Sequence, residues 1–408
     1  MVKRNFFIRM KRKIKQLNWK RNLITKKIKY FIFMKFLSFI FFFVKRRNEI
    51  INPDTVKKVL IIRNDCIGDM IVTTPFIRCL SNAGYKVYIS SRKSSLDILD
   101  GNPYISDCFL YQDRKLNNLV DSIRTIRKHQ FDLSIDARFH RRLDLKHLIF
   151  CCLIKTNILL SYNKSNIKAF NISLPYYKPN DHVTNQLKYY LDNLNIKHDL
   201  FNYDIYINPS QNQNVTDFIN RYIYPNKFVV INPFGGSEYR CLSGSQLQGI
   251  CDLFKKHYQD YKIVLIGEGK KFEKLSLLDT IKFKSETIMD VTPLIKRADL
   301  VISVDTSIVH IASAFSTKCI SIYMEPLAPN LVNLKSIYSR EYSDYKYLRQ
   351  DLFLDGKYIK KYKPRLEFQI NKDLWAPNNI NGRQLVYDAN SIESVKVQKL
   401  LESIKKYI

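Results

Sequence analysis

The sequence has few of the features that mark metal sites, disulfide frameworks and dinucleotide-binding loops. Its eight cysteines form no Cys-x-x-Cys pair and include one adjacent pair, Cys151–Cys152. This pattern indicates neither a zinc site nor disulfides, and it predicts a reducing, cytoplasmic compartment. After the first predicted strand the chain reads RNDCIGDM, with Gly68 as its one glycine. A dehydrogenase-type Rossmann loop needs Gly-x-Gly-x-x-Gly at that point, so this class of enzyme is disfavoured.

Acidic side chains are absent from residues 1–48, which contain 16 Lys and Arg. This segment therefore supplies more than half of the net charge of +30. It includes Tyr30–Val44, an aromatic and apolar run that Lys35 interrupts. The run is shorter than the ~20 residues that cross a bilayer comfortably. No small-residue cleavage site follows it, so a removed signal peptide is not expected.

These properties favour a segment that lies on the cytoplasmic face of an anionic membrane, with cations on the lipid headgroups and Phe side chains in the acyl boundary. A spanning anchor is the main alternative. A basic arm for nucleic acid is a weaker one, because such arms are rarely so rich in consecutive Phe and Ile. We therefore expect residues 1–48 to bind an anionic membrane surface, and we expect no nucleic-acid partner.

Two series of alternating strands and helices follow residue 48. The predicted strands are Val59–Arg63, Lys86–Ser91, Ile105–Tyr111 and Phe131–Asp136, then Phe228–Asn232, Lys262–Gly267, Leu300–Asp305 and Cys319–Tyr323. The predicted helices are Met70–Leu80, Leu96–Gly101, Leu116–His129, Leu143–Ile154 and His182–Leu194, then Gln246–His257, Phe272–Lys282, Thr292–Arg297 and Ile308–Phe315. Such alternation produces parallel sheets with helices on both faces. We predict an α/β protein of two Rossmann-like, doubly wound parallel-sheet domains, residues 49–210 and 211–390, facing each other across a cleft, with a C-terminal helix in residues 391–408.

The first predicted strand is followed by a tight turn at Gly68 and Asp69, and then by a helix. In open α/β sheets, ligands bind at the carboxyl ends of the strands, where helix amino-termini also point. Asp69 is compatible with a helix N-cap whose carboxylate accepts hydrogen bonds from amides near Ile71 or Val72. The same position suits a carboxylate that acts on a ligand, so other parts of the chain have to decide between the two interpretations.

Four blocks of the sequence resemble one enzyme family. They are IIRNDCIGDMIVTTP at Ile61–Pro75, INPFGGSEYRCLS at Ile231–Ser243, VLIGEGKKFEK at Val264–Lys274 and RADLVISVDTSIVHIASAF at Arg297–Phe315. The first is similar to the amino-terminal Gly-Asp block of glycosyltransferase family 9, the ADP-heptose:lipopolysaccharide heptosyltransferases. The second resembles that family's glycine-bearing loop followed by Lys-x-Trp-Pro, and the fourth its Asp-Thr-Gly-x-x-His-x-Ala block. Together they span roughly two thirds of the chain.

The resemblance implies a GT-B fold, in which two Rossmann-like domains face each other. It implies transfer of a sugar from a nucleotide-sugar donor, with ADP-heptose favoured, to a lipid-linked core oligosaccharide of lipopolysaccharide or lipooligosaccharide. It also implies inversion at the transferred carbon and no cofactor. No Asp-x-Asp metal motif occurs in the second domain, so metal-independent transfer is predicted. The expected location is cytoplasmic and peripheral, on the inner face of the inner membrane.

The donor site is predicted at the strand ends of the second domain. The Gly235–Gly236 pair follows a buried strand, where it lets backbone amides approach phosphate oxygens. Arg240 takes the place of the family's lysine and is expected to neutralise the diphosphate. The alternatives are a solvated Arg240 and a merely capped helix at Asp305–His310. The predicted donor-binding residues are Gly235, Gly236, Ser237, Arg240, Glu268, Asp305, Thr306, Ser307 and His310.

The acceptor site is predicted in the first domain, with Asp69 as the general base. A hydroxyl is a poor nucleophile, so a carboxylate within hydrogen-bond reach should take its proton as the glycosidic bond forms. The predicted acceptor-binding residues are Arg63, Gly68, Arg138, Arg141 and Arg142. The cations of Arg138, Arg141 and Arg142 suit phosphates or carboxylates of an acceptor. A solvated basic helix start is the alternative for the last three. The alternative function is a catalytically inactive GT-B-fold protein, a membrane-associated binding or assembly factor for envelope glycan synthesis.

The chain departs from the family pattern around the donor site. Leu242 and Ser243 stand where the family has Trp-Pro, and Ser307 stands where it has Gly. The sequence therefore leaves the transferred sugar and the nucleotide open.

Removal of residues 1–47 tests the membrane assignment. We expect the shortened protein to move from the membrane fraction to the soluble fraction on centrifugation, because the basic and aromatic segment supplies the contact with lipid. Activity on a detergent-dispersed acceptor should survive the deletion. An unchanged distribution between the fractions would count against membrane binding through this segment.

Overall fold

The computed structural model describes residues 55–138, 145–162, 169–176, 181–198, 200–267, 279–325, 371–389 and 391–408, with residues 28, 32, 35, 36, 39, 51, 164, 167, 272, 277, 353, 354, 357 and 358. Most of residues 1–48 lies outside this set. The predicted site residues Arg141, Arg142 and Glu268 also lie outside it. Across the described residues, no helix combines the length and the apolar character needed to cross a bilayer.

The first domain is built on a parallel sheet in the order β3-β2-β1-β4-β5-β6. Its strands are β1 (Lys58–Ile62), β2 (Lys86–Ser91), β3 (Asp107–Leu110), β4 (Phe131–Asp136), β5 (Thr156–Tyr162) and β6 (Ile172–Leu174). Its helices are α1 (Ile67–Asn82), α2 (Lys93–Leu96), α3 (Leu116–Ile126), α4 (Leu145–Leu153) and α5 (Val183–Asn193).

The second domain repeats this topology, with the order β14-β11-β10-β7-β8-β9. Its strands are β7 (Lys227–Asn232), β8 (Tyr261–Leu265), β9 (Thr280–Lys282), β10 (Leu300–Val304), β11 (Cys319–Glu325) and β14 (Gly382–Asp388). A short antiparallel pair, β12 (Phe353–Leu354) and β13 (Lys357–Tyr358), precedes β14 in the chain. The helices are α6 (Pro209–Tyr222), α7 (Gly244–His257), α8 (Ile288–Arg297), α9 (Ser307–Ala314), α10 (Asn371–Leu374) and α11 (Val397–Lys405).

The central strands explain why the sequence predicted two parallel sheets. Leu60, Ile61 and Ile62 in β1 are 0% exposed, and every residue of β10 is buried. Helices cover both faces of such a sheet, so its strands need apolar side chains on both sides and appear as continuous apolar runs. The prediction of two doubly wound α/β domains is confirmed.

Two predicted helices were wrong in part. The segment predicted as Leu96–Gly101 forms the end of α2 and a 3₁₀ turn at Asp97–Leu99. The predicted helix Phe272–Lys282 ends in β9, which pairs in parallel with β8. A short apolar stretch is compatible with both the helical and the strand periodicity, so its conformation depends on whether a neighbouring strand pairs with it.

Helix α6 begins where the sequence predicted a domain boundary. Asn208 is its N-cap and forms a capping box with Gln211, and Pro209 occupies the first helical position. Proline and polar residues that indicate a linker therefore start a helix here. The C-terminal helix, α11, packs on α7, where a methyl group on Gly249 would lie 2.9 Å from Val397 Cγ1.

The two domains touch through their helices and through the segment Leu374–Asn381. Helix α1 packs against α9. The His182 Nε2 atom donates to Ala376 O at 3.1 Å, and Asn378 Nδ2 donates to Phe201 O at 3.0 Å. The Tyr323 hydroxyl holds the same segment from the second domain by donating to Trp375 O at 2.7 Å. These contacts bring the carboxyl edges of the two sheets together around α1 and α9.

Candidate active site

The two sheets place the predicted site residues at equivalent positions. Each sheet reverses its strand order between two neighbours, β1 and β4 in one domain and β7 and β10 in the other. The connections leave such a strand pair in opposite directions, which opens a crevice at the carboxyl ends of the strands. Asp69 and Arg138 follow β1 and β4, and Arg240 and Asp305 follow β7 and β10. Both halves of the predicted site therefore lie at a topological switch point.

Asp69 lies in the first turn of α1 and caps it. Cys66 is the N-cap residue, and its N–H donates to Asp69 Oδ2 at 3.2 Å. The carboxylate thus occupies the third helical position of a capping box, and the N-cap position considered from the sequence was wrong. Its Oδ1 atom lies 3.2 Å from Arg63 Nη2, and 19% of the side chain is exposed. The exposed part is open to a ligand in the crevice.

The surroundings of Asp69 change its affinity for protons. The pKa of Asp69 is raised to about 6. Burial is the largest cause and the Asp65 carboxylate adds to it, whereas the Arg63 guanidinium and the Cys66 N–H act to lower the pKa. The carboxylate is therefore ionised at neutral pH, and it accepts a proton more readily than a solvated aspartate.

Arg63 lies beneath the crevice and is 1% exposed. Its Nη1 atom donates to Ala137 O, its Nε atom donates to Asp69 O at 3.3 Å, and its Nη2 atom donates to Asp69 Oδ1. The direct contact with an acceptor that we predicted does not fit this burial. The guanidinium instead joins the ends of β1 and β4 to the first turn of α1.

Arg138 lies closer to the surface but is held in place. Its Nε atom donates to Asp65 Oδ1 at 2.6 Å, and 7% of its side chain is exposed. The predicted acceptor residues Arg141 and Arg142 follow it outside the described residues. Asp65, which the sequence did not single out, thus links Arg138 to the loop that carries Asp69.

The glycine loop of the second domain holds Arg240 close to its own backbone. A methyl group on Gly235 would lie 2.5 Å from Arg240 Cβ and 3.0 Å from Arg240 O, whereas Gly236 has nothing within 4 Å. Ser237 is the N-cap of the short 3₁₀ helix Glu238–Arg240. Arg240 Nη1 lies 3.1 Å from Asp305 Oδ2. The structure thus brings two predicted donor residues from different strand ends into one ion pair.

Thr306 and Ser307 open α9, as predicted. Thr306 is the N-cap, and its hydroxyl accepts a hydrogen bond from the Ile308 N–H at 3.3 Å. Asn232, the last residue of β7, donates through Nδ2 to the Thr306 hydroxyl at 3.0 Å. The amino-terminus of α9 is therefore fixed against β7, on the strand that leads into the glycine loop.

His310 lies one turn into α9 at the contact between the domains. It is 4% exposed, and a methyl group on Gly68 would lie 3.0 Å from its Cδ2 atom. Its ring meets Tyr203 and Trp375 edge-on. Burial lowers the pKa of His310 to about 3, so the ring is neutral. Gly68 and His310, which the sequence assigned to opposite substrates, are in contact with each other.

A buried polar cluster at the end of β4 escaped the sequence analysis. Asp136 Oδ2 accepts from Lys164 Nζ at 2.7 Å and from Ser161 Oγ at 3.1 Å, and Oδ1 lies 2.9 Å from His147 Nε2. Burial opposes ionisation, but Lys164 and His147 hold the pKa of Asp136 well below its usual range. Asp136, His147 and Cys151 are close enough to share one metal ion. Lys164 supplies the compensating charge without one, so the cluster is explained as a buried ion pair.

Comparisons with known proteins agree with this geometry. The family model described as glycosyltransferase family 9 (heptosyltransferase) matches residues 121–327. The putative lipopolysaccharide heptosyltransferase 4 of Escherichia coli K12 is 23% identical over 95% of this chain and 96% of its own length. A family 9 glycosyltransferase from Veillonella parvula has a TM-score of 0.64 at 11% identity, covering 86% of this chain and 97% of that one.

Another similar structure is heptosyltransferase WaaC of E. coli with ADP-2-deoxy-2-fluoro heptose. It has a TM-score of 0.57 at 11% identity, over 86% of this chain and 100% of that one. These likenesses show the two-domain GT-B fold. Because the family model covers just over half of its residues, the chain belongs to glycosyltransferase family 9, the heptosyltransferase family.

Proposed function

We propose that this glycosyltransferase moves a heptose or related sugar from a nucleotide donor, with ADP-heptose favoured, to a lipopolysaccharide or lipooligosaccharide core acceptor. Transfer is inverting and independent of metal, and Asp69 is the general base. One observation carries the proposal. The turn that holds Asp69 contacts α9, since a methyl group on Gly68 would lie 3.0 Å from His310 Cδ2 and 3.7 Å from Ser307 Cα.

The donor half of the site suits a diphosphate. The Arg240 guanidinium offers a planar set of donors for phosphate oxygens, and Asp305 orients it. The Ser237 hydroxyl is buried and has no hydrogen-bond partner among the described residues, so a phosphate oxygen would satisfy it. Backbone N–H groups at the start of α9 add to the positive field. The nucleotide sugar in the similar WaaC structure supports ADP as the nucleotide.

The acceptor half suits removal of a proton. In the proposed reaction the acceptor oxygen attacks C1 of the sugar from the side opposite the diphosphate, and its proton passes to Asp69. The bond between C1 and the phosphate oxygen breaks, and its electron pair leaves with the nucleoside diphosphate. Arg240 and the amides at the start of α9 stabilise the charge that develops on this leaving group. The balance needs no oxidant and no cofactor.

The composition of residues 1–48 suits an enzyme whose acceptor is a lipid held in a membrane. Among them the described residues Ile28, Ile32, Phe36 and Phe39 are helical, and 51–64% of each is exposed. Steps of four, four and three residues place these side chains on one face of a helix. We propose that this face lies in the boundary of an anionic membrane and that the cations around it bind headgroups, which keeps the protein peripheral on the inner face of the inner membrane.

Replacement of the proposed base is the first test. Asp69→Asn should lower kcat by ~10²–10⁴-fold, since the amide cannot take the acceptor proton. Binding of ADP-heptose, measured by isothermal titration calorimetry, should stay within a few-fold of wild type. Near-normal turnover by the folded variant would remove Asp69 from the mechanism. Donor binding without transfer in the wild-type protein, across a panel of core acceptors, would favour the inactive binding protein.

The pH profile gives a second test. The base must be ionised, so protonation of Asp69 should abolish activity, and kcat/KM should rise with pH through an apparent pKa of about 6. The residual activity of Asp69→Asn should lack this acid limb. A wild-type limb near the ordinary aspartate value of about 4 would contradict the assigned environment.

The glycine loop gives a third test, on the donor side. Gly235→Ala should weaken ADP-heptose binding by at least ~10-fold, because the added methyl group would lie only 2.5 Å from Arg240 Cβ and would displace Arg240. Gly244→Ala is a matched control in the same stretch of chain, since nothing lies within 4 Å of its added methyl group. Equal affinities for the two variants in calorimetry would contradict this role of Gly235.

A further inference from the structure

The Arg63 side chain is the largest that the described part of the protein buries completely. It follows β1, and its guanidinium is 0% exposed. Transfer of a charged group from water into a protein interior is unfavourable unless hydrogen bonds and opposite charges replace the lost water. The hydrogen-bond and ion-pair partners of Arg63 therefore indicate the role of its buried charge.

Two of the three hydrogen bonds that the Arg63 side chain donates go to a single residue. The Nε atom donates to the backbone oxygen of Asp69 at 3.3 Å, and the Nη2 atom donates to its Oδ1 atom at 3.2 Å. The third, from Nη1, goes to Ala137 O, just past the end of β4. Three donors that point in fixed directions thus set the position of the Asp69 main chain and the direction of its carboxylate.

Asp65 lies on the other side of this arrangement. Its Oδ2 atom is 3.5 Å from Arg63 Nη1, its Oδ1 atom accepts from Arg138, and 3% of its side chain is exposed. A negative charge here acts on Asp69 against the positive charge of Arg63. Residues 63–66 therefore hold two buried charges of opposite sign next to the same carboxylate.

We propose that Arg63 is a positioning residue for the Asp69 carboxylate, which it directs into the crevice and holds in the ionised form, and that Asp65 is its electrostatic counterweight, which keeps Asp69 able to accept a proton. This inference rests on the proposed role of Asp69 as general base. It assigns to Arg63 an action through Asp69 in place of contact with substrate.

Among the residues that the structure describes, the other groups around Asp69 do not provide a second pair of opposite charges that acts on it. On its own turn, the Cys66 thiol has a pKa raised by burial and stays neutral. Arg92, which directly follows β2, is paired with Asp113 at 2.9 Å. From α9, His310 is neutral.

The end of β4 contributes two more charged groups, and each has a partner of opposite charge. Asp136 is paired with Lys164, and Arg138 is paired with Asp65. Among the charged side chains, Arg63 and Asp65 affect the pKa of Asp69 most, with opposite sign.

Opposite shifts of one titration test the proposal. The full-length protein is labelled with ¹³C at the aspartate carboxyl carbons, and the Asp69 signal is identified by its loss in Asp69→Asn. Arg63→Gln removes the positive charge and should raise the titration midpoint by ~1 pH unit or more. Asp65→Asn removes the negative charge and should lower it. A purely structural role would not produce shifts of opposite sign.

Arg63→Lys separates charge from position. It keeps a positive charge but cannot hold the Asp69 main-chain oxygen and carboxylate at once. We expect a midpoint within ~0.5 pH unit of wild type, and a kcat at least ~10-fold lower with an unchanged KM for ADP-heptose. Arg78 and Asp204 form another ion pair that α1 makes, so Arg78→Lys and Asp204→Asn are matched controls that should change neither quantity.

The outcomes separate this inference from the proposed function. Loss of activity in Asp69→Asn together with unshifted midpoints in Arg63→Gln and Asp65→Asn would overturn the inference and leave the base assignment in place. Full activity in Asp69→Asn would overturn the base assignment. Should Arg63→Gln fail to fold, Asp65→Asn still tests the direction in which Asp65 shifts the titration midpoint of Asp69. An unchanged or raised midpoint in that variant contradicts the proposed role of Asp65 as counterweight.

Discussion

The loop that carries Asp69 depends on the hydrogen bonds of the buried Arg63 guanidinium. The guanidinium reaches the end of β1, the first turn of α1 and the chain just beyond β4 in one step. Loss of one partner from a buried ion pair costs ~3–5 kcal/mol, because the remaining charge stays out of water. The loop around Asp69 therefore cannot relax into other conformations at low cost, although such loops are usually the mobile part of an α/β domain.

The same topology places different chemical groups at the carboxyl ends of the central strands in the two domains. Both sheets reverse between their central strands, and both tie those strands together at the opposite edge with an aspartate. Asp132 accepts from the Lys57 and Lys58 amides, and Asp299 accepts from the Phe228 amide. These hydrogen bonds hold each central strand pair together at the amino ends of its strands. In the first domain the carboxyl ends of this pair lead to the Asp69 carboxylate, and in the second they lead to Arg240 and to the amides at the start of α9.

The sequence was a good guide to the strands and a poorer guide to the side chains between them. Buried parallel strands are continuous apolar runs, so β1 and β10 were predicted to within one residue, whereas the short strand β9 was taken for helix. The burial of Arg63 could not be predicted, because an arginine after a strand is usually solvated and its partners Asp69 and Ala137 come from different elements. For Asp69 the cap and the base were treated as alternatives, yet one oxygen caps α1 while part of the side chain stays exposed. The local sequence pattern indicates that a side chain can cap a helix, but it does not show how much of that side chain stays exposed to a ligand.

The contact between the domains contains two histidines whose pKa values are lowered by burial. His310 lies against Gly68, and its pKa of about 3 keeps it neutral well below the pKa of about 6 for Asp69. His182, which joins the first domain to Ala376, also has a pKa lowered by burial. With its Nδ1 atom accepting from the Thr184 amide, its proton lies on Nε2 and is donated across the interface. Protonation near pH 6 therefore changes the charge at Asp69 while His310, at the contact with Gly68, stays neutral. Under the proposed function, a loss of activity in that range reports on the proposed base.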